Sequence, residues 1–217
     1  MAPFDTHFLV AENLWPELAG SWQAHFDQFC YGCVAPDVDK ISAKLTQKDT
    51  HFFDRTTDWD LMASHRKATF LKELPNFIGC TFDDLEPEAQ AFVMGYLCHL
   101  CVDEVSKSMW RRPTWQVFKD VGPGAAFAAL DEQAARYIQD YPAIIRAINH
   151  LRVLDLIPRI SITDLQRYYQ GVNDFVSAPT TEAKYAALLG LFGDQSPESV
   201  RDKQRIFLDA IRTARQH

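Results

Sequence analysis

The stretch Ala91-Phe92-Val93-Met94-Gly95-Tyr96-Leu97-Cys98-His99-Leu100-Cys101-Val102-Asp103-Glu104 decides the fold of this 217-residue chain. Its apolar side chains cover nearly the whole circumference of a helix, which is typical of a helix buried on every side. The apolar run from Ala91 to Val102 is shorter than the roughly 20 residues that span a bilayer. We therefore predict a buried helix and no transmembrane segment.

Two ionisable side chains lie inside this apolar stretch. His99 and Asp103 are four residues apart, so they share one helix face. Burying an imidazole and a carboxylate together costs several kcal/mol unless hydrogen bonds or a metal satisfy them. The pair alone is compatible with a core histidine bonded to its own helix neighbour, and equally with metal ligands.

The rest of the chain is also dominated by helical patterns. No alternating strand pattern of comparable length appears, so we predict an all-α bundle of seven to nine helices with a metal site between helices and one long loop. The predicted helices start near Asp5, cover 58–74 up to Pro75, 87–110, 124–141, 165–176 and 183–191, and resume at Ser196-Pro197-Glu198. The longest connection runs from Cys30 to Asp54, where Gly32, Pro36 and clustered polar residues indicate a long ordered loop.

Composition restricts the class of protein. The length and the 47% apolar residues fit one globular domain, residues 1–217. The net charge of −7 argues against binding duplex nucleic acid through phosphate neutralisation. The start, Met1-Ala2-Pro3, lacks the pattern of a secretory signal, so we expect a cytoplasmic protein with its five cysteines as thiols or ligands. No sequence feature indicates the oligomeric state.

Three further candidate ligands lie in contexts that are unusual for solvent-facing residues. His51 stands beside two phenylalanines, Asp37 follows a proline in an apolar loop, and His7 falls in the first turn of the first helix. Imidazoles and carboxylates spread over several elements are the ligands that zinc and related divalent metals use. A bridging carboxylate such as Asp103 would let two cations clamp a phosphoryl group and generate a hydroxide nucleophile.

The order of these residues resembles the zinc-dependent phospholipase C family, which is similar in its metal constellation to the single-strand-specific zinc nucleases. Over residues 5–107 the chain has an early His7, then Gly32 with Pro36-Asp37, then Thr50-His51-Phe52, then Gly95-Tyr96-Leu97-Cys98-His99-Leu100 with Asp103. The resemblance implies that Asp37, His51, His99 and Asp103 hold one zinc. It also implies that His7 and the bridging Asp103 contribute to a second.

The chain departs from the family pattern at two places. Its first tryptophan is Trp15, so the N-terminal tryptophan ligand of the secreted phospholipases is missing, and Leu154 stands where a His-x-x-x-Glu pair beginning at His150 would need its glutamate. We therefore expect one or two zinc ions rather than three, with other divalent metals as options. Asp37 and Asp54 are the candidate catalytic residues, and Glu104 and His65 are further candidates for a replacement ligand or base.

The favoured function is a zinc-dependent hydrolase of a small-molecule or lipid phosphoester, a phosphodiesterase in which metal-bound hydroxide attacks phosphorus. Hydrolysis of another ester or amide metabolite on the same site, and a non-catalytic metal-stabilised helical binding module, stay open as alternatives. A four-cysteine site formed by Cys30, Cys33, Cys98 and Cys101 is a weaker alternative. A carboxylate-bridged di-iron oxidase ranks last because the chain contains no Glu-x-x-His pair.

Overall fold

The fold is all-α in the part of the chain that the computed structural model describes. That part comprises residues 3–52, 66–106, 116–117, 120, 123–180, 183–184, 186–187 and 205–206, and it contains helices and no strand. The α-helices are α1 (Phe4–Leu14), α2 (Phe26–Gly32), α3 (Gln47–His51), α4 (Arg66–Ile78), α5 (Pro87–Ser106), α6 (Pro123–Ala135), α7 (Tyr141–Asn149) and α8 (Ile162–Ser177). Short 3₁₀ helices cover Trp15–Glu17, Ser21–Ala24, Ala35–Lys40 and Phe82–Asp84.

Helix α5 forms the centre of the molecule, as its apolar sequence predicts. It touches α2 through two glycines: a Cβ atom at Gly32 would lie 2.2 Å from the Phe92 carbonyl oxygen, and one at Gly95 would lie 2.1 Å from that of Phe29. The two backbones are therefore in direct contact at this crossing. The close approach brings the end of α2 against the face of α5 that carries His99.

The long loop predicted between Cys30 and Asp54 is wrong for the residues that can be compared. Helix α2 continues to Gly32, a 3₁₀ helix covers Ala35–Lys40, and α3 covers Gln47–His51. Thr46 and Asp49 form a capping box that starts α3, with the Thr46 N–H donating to Asp49 Oδ2 at 2.8 Å. This segment is thus held by local hydrogen bonds in short helical turns that carry no long apolar period.

Two predicted helix boundaries also differ from the structure, and the first is the helix end predicted before Pro75. Helix α4 passes through Pro75 and ends at Ile78. Pro75 and Leu71, whose carbonyl loses a donor, are both exposed, so water can satisfy that carbonyl while Phe77 and Ile78 stay buried.

The predicted helix 124–141 is in fact two helices. Helix α6 ends at Ala135, and α7 begins at Tyr141 with the Asp140 side chain accepting from the Ala143 N–H. The Glu12 carboxylate accepts from the N–H groups of Gln139 and Asp140 at 2.9 and 2.6 Å, which fixes the turn between them.

Several predictions fall partly or wholly outside the described residues. These are the helix start before Arg66, the end of the 87–110 helix after Ser106, and the last helix at Ser196. Near the predicted helix 183–191, Thr180 Oγ1 accepts from the Ala183 N–H at 3.2 Å, and residues 183–184 and 186–187 are helical. Within the described part of the chain, no helix is long and apolar enough to cross a membrane.

Candidate metal centre

The structure brings the five predicted ligands together from four elements. His7 comes from α1, Asp37 from the 3₁₀ helix Ala35–Lys40, His51 from the end of α3, and His99 and Asp103 from α5. All five residues are buried, with at most 1% of their surface exposed. Burying this many titratable groups costs free energy unless hydrogen bonds or a metal satisfy them.

The ligand atoms have the separations expected around a single zinc ion. His51 Nε2 lies 3.2 Å from His99 Nε2 and 3.3 Å from Asp37 Oδ1. Asp103 Oδ2 lies 3.8 Å from His51 Nε2 and 4.0 Å from His99 Nε2. Zinc bound tetrahedrally by nitrogen and oxygen places its ligands about 3.3 Å apart, a separation that His51 already has from His99 and from Asp37, whereas Asp103 lies somewhat farther from both histidines.

The orientation of two histidines is set by groups behind them. His99 Nδ1 donates to the Cys33 carbonyl at 2.8 Å, so its Nε2 carries the lone pair that faces the centre. His51 Nδ1 forms a 2.8 Å hydrogen bond with the Thr50 hydroxyl, which likewise turns Nε2 inward. Hydrogen bonds of this kind fix the tautomer and ring orientation of metal-ligating histidines.

His7 lacks any such partner among the described residues. Neither of its ring nitrogens makes a hydrogen bond, although the side chain is fully buried. Its ring stacks on that of His99, with centroids 4.1 Å apart and planes 8° from parallel. A buried imidazole in this state costs about 1–3 kcal/mol, a cost that metal coordination would remove.

The described side chains form two possible metal-binding groups, and both contain His99. One is His7, His99 and Asp103, and the other is Asp37, His51 and His99, each with ligand atoms within 4.8 Å of one another. Because His99 Nδ1 is bonded to the Cys33 carbonyl, only its Nε2 is free to ligate, and one nitrogen binds one ion. Two ions at once would therefore need another shared ligand, the role expected for Asp103.

Burial prepares these groups for a metal. It lowers the pKa of His7 and of His51 to about 3, and it lowers the pKa of His99 from its usual value, so all three imidazoles are neutral. Burial alone would raise the pKa of Asp37, but Lys40 at 3.6 Å and the adjacent histidines more than offset it and hold that pKa below its usual range. Neutral imidazoles and an ionised carboxylate are the protonation states that bind metal.

Sequence reasoning missed the supporting residues of the centre. These are the Cys33 carbonyl, the Thr50 hydroxyl, and Lys40, which also lies 3.1 Å from Asp39. The three-residue spacing of Asp37 and Lys40 would have indicated their contact only if a 3₁₀ helix had been predicted there, because that helix aligns residues i and i+3.

Of the remaining candidates from the sequence, those that the structure describes do not join the centre. Asp54 and His65 lie outside the described residues. Glu104 accepts from the Lys67 N–H at 3.1 Å and links α5 to α4. The five cysteines are thiols, and no possible metal-binding group in the described part of the chain includes one, which argues against the four-cysteine alternative.

Comparison with known protein families agrees with the family resemblance noted in the sequence. Residues 6–105 match the family model described as zinc dependent phospholipase C, which is just under half of the 217-residue chain. This match confirms the resemblance predicted over residues 5–107. No curated protein and no solved structure matches the chain.

Proposed function

Starting from the match of residues 6–105 to the zinc-dependent phospholipase C family, we propose that this protein is a zinc-dependent hydrolase that cleaves a phosphoester. The observation that carries the proposal is the pair of three-residue ligand groups that share His99, one with Asp37 and His51 and the other with His7 and Asp103. Three protein ligands leave a fourth position of zinc open for water. Zinc bound there would polarise a phosphoryl oxygen and make water nucleophilic near neutral pH.

The protein's own residues divide the remaining tasks. The Cys33 carbonyl and the Thr50 hydroxyl orient His99 and His51. Asp103 lies within reach of both histidines and of the His7 group, so it is the residue suited to bridge two ions. His7, whose ring nitrogens have no hydrogen-bond partner in the described part of the chain, would serve the second ion.

Asp37 and Asp54 remain the proposed acceptors of the proton from the attacking water. A general base works best with a pKa near the working pH, whereas the low pKa of Asp37 suits a ligand. We therefore assign Asp37 mainly as a metal ligand. Any role of Asp37 as a general base would use its second carboxylate oxygen.

The charge of the site links the number of ions to the substrate. Among the described residues, Asp37, Asp39 and Asp103 oppose one Lys40 and neutral histidines, which leaves two negative charges. One zinc neutralises the site and leaves a neutral ester or amide substrate open, whereas two zinc ions make it cationic and favour an anionic phosphoester, small-molecule or lipid. The metal count is therefore a test of substrate class.

One observation favours a second candidate, a non-catalytic metal-stabilised helical module. All five ligand residues are at most 1% exposed, and a structural zinc site is closed by four protein ligands, with no position left for water. In that case zinc would be retained against chelators and no ester would be hydrolysed.

The first experiment is metal analysis by elemental mass spectrometry on wild type, His99→Ala, Asp103→Ala and the exposed control His150→Ala. We expect one to two zinc ions per chain in wild type and in His150→Ala, and their loss in the two site variants. Hydrolysis of bis(p-nitrophenyl) phosphate by the same four proteins then separates the two candidates. Metal retained in His99→Ala and Asp103→Ala would refute both.

A further inference from the structure

A polar cavity of about 390 Å³ lies between the start of α1, helix α6 and the end of α8. Its main lining residues are Asp5, Asp131, Glu132, Arg136, Phe175 and Lys184. None of the five proposed zinc ligands lines it, and all its lining residues fall outside the family-matched segment 6–105. Its volume is that of a site for a small organic molecule.

Two buried aspartates line the cavity, and the backbone of one is hydrogen-bonded to the side chain of the other. The backbone N–H of Asp5 donates to Asp131 Oδ1 at 2.6 Å, and the Tyr141 hydroxyl donates to Asp5 Oδ1 at 2.8 Å. Lys184 Nζ completes the Asp5 side, 3.2 Å from its Oδ2. Asp5 is thus fully paired.

Asp131 is not. It is 2% exposed, and its Oδ2 accepts no hydrogen bond from any residue that the structure describes. The two cations nearby are already paired, Lys184 with Asp5 and Arg136 with Glu132 at 2.5 Å. An oxygen of this kind is costly to ionise without a donor, so among the residues that the structure describes the cavity lacks one positive charge for an ionised Asp131.

Further observations restrict what would provide that charge. Asp131 is absent from the groups of described side chains that could hold a metal ion, and the cavity is far larger than a bare ion needs. Its walls include the apolar side chains of Ala135, Phe175 and Ala178. The missing donor therefore belongs to a molecule with one cationic N–H group and a small apolar body.

We propose that this cavity binds a small primary ammonium compound, whose N–H group donates to Asp131 Oδ2 while its carbon chain packs against Ala135, Phe175 and Ala178. The raised pKa of Asp131, caused by burial and by the neighbouring Asp5 charge, is consistent with a carboxylate that needs a cation to ionise. The site is independent of the zinc centre, so it stands or falls separately from the proposed hydrolase function.

The test is titration calorimetry of the full-length protein with n-butylamine hydrochloride at constant ionic strength. We expect saturable binding that neither n-butanol nor tetramethylammonium chloride reproduces, because the first lacks the charge and the second lacks N–H donors. Asp131→Asn should weaken binding at least about tenfold, the factor carried by one charge-assisted hydrogen bond. Glu17→Gln, which changes an exposed carboxylate that does not line the cavity, should bind within about twofold of wild type.

A second variant, the cavity-filling Ala135→Leu, keeps the proposal testable if Asp131→Asn does not fold. It leaves the carboxylates intact and should block the amine, with circular dichroism and zinc content unchanged. Absence of saturable binding to wild type, equal binding by Asp131→Asn, or equal binding of n-butanol would each overturn the proposal.

Discussion

At the level of the single residue, His7 is a side chain that suits a metal ligand and destabilises the metal-free protein. Its two nitrogens have no hydrogen-bond partner in the described part of the chain, and its ring lies flat on His99. A phenylalanine would keep the stacked ring and remove both unsatisfied atoms. The residue is thus a poor choice for a metal-free core and a good one for a ligand.

We therefore expect His7→Phe to raise the free energy of unfolding of the metal-free protein by about 1 kcal/mol. The same substitution should remove any second zinc ion and leave the first, held by Asp37, His51 and His99. Urea denaturation in the presence of a chelator and metal analysis measure the two effects. A variant that is less stable without metal and keeps its full zinc content would contradict the role given to His7.

At the level of elements, the crossing of α2 and α5 fixes the distance between the two sides of the zinc centre. Gly32 and Gly95 allow backbone contact there, and the Cys33 carbonyl at the end of α2 then reaches His99. A side chain at either glycine would force the helices apart. The metal centre therefore depends on residues that contribute no ligand.

Gly95→Ala should destabilise the protein by about 2–3 kcal/mol, because its Cβ would overlap the Phe29 carbonyl oxygen. In an ordinary helix the same change stabilises by about 0.5–1 kcal/mol, so the sign itself is informative. The thermal unfolding temperature and the zinc content should both fall. Gly79→Ala, where a Cβ meets nothing within 4 Å, should retain zinc despite its positive φ of 83°.

The junction of α1 and α6 makes stability depend on pH through Asp131. Burial raises the pKa of Asp131 well above its ordinary 3.8, so the folded chain binds a proton that the unfolded chain releases. This contribution is complete below about pH 4 and is lost as the pH rises through the folded-state pKa. Urea titrations at several pH values should show stability falling from pH 4 upward, more steeply in wild type than in Asp131→Asn; parallel curves would contradict it.

For the molecule as a whole, buried hydrogen bonds tie the family-matched segment to the rest of the chain. The Tyr31 hydroxyl donates to the Leu165 carbonyl at 2.8 Å, and the Tyr168 hydroxyl donates to the Val34 carbonyl at 2.9 Å. Both tyrosines are fully buried. Helix α8 thus supports the segment that carries Asp37, and we expect residues 1–217 to unfold as one domain.

Tyr168→Phe should lower the free energy of unfolding by about 1 kcal/mol, because it removes one of the two hydrogen bonds to the buried Val34 carbonyl, which keeps the Asp37 N–H at 3.1 Å. Calorimetry should show a single transition in wild type and in the variant, shifted to lower temperature in the latter. Tyr137→Phe, at a 69% exposed position, is the control and should leave the transition unchanged. Two separate transitions would mean that the segments fold independently.

The sequence by itself determined the helical class, the buried helix α5 and the identity of the five candidate ligands. Each rests on a local rule: apolar residues all around a helix mean burial, and ionisable groups inside such a helix demand partners. The match of residues 6–105 confirms the family resemblance that the order of these ligands suggested. Local patterns were sufficient because each signal lies within a few residues of chain.

Only the tertiary structure decided how the ligands meet and what surrounds them. The shared use of His99, the unpartnered nitrogens of His7 and the contact of Asp5 with Asp131, 126 residues later, depend on packing between distant segments. The short helices between Cys30 and Phe52 and the passage of α4 through Pro75 also escaped prediction. Capping bonds and burial outweighed intrinsic propensity there, and neither can be seen until the chain is folded.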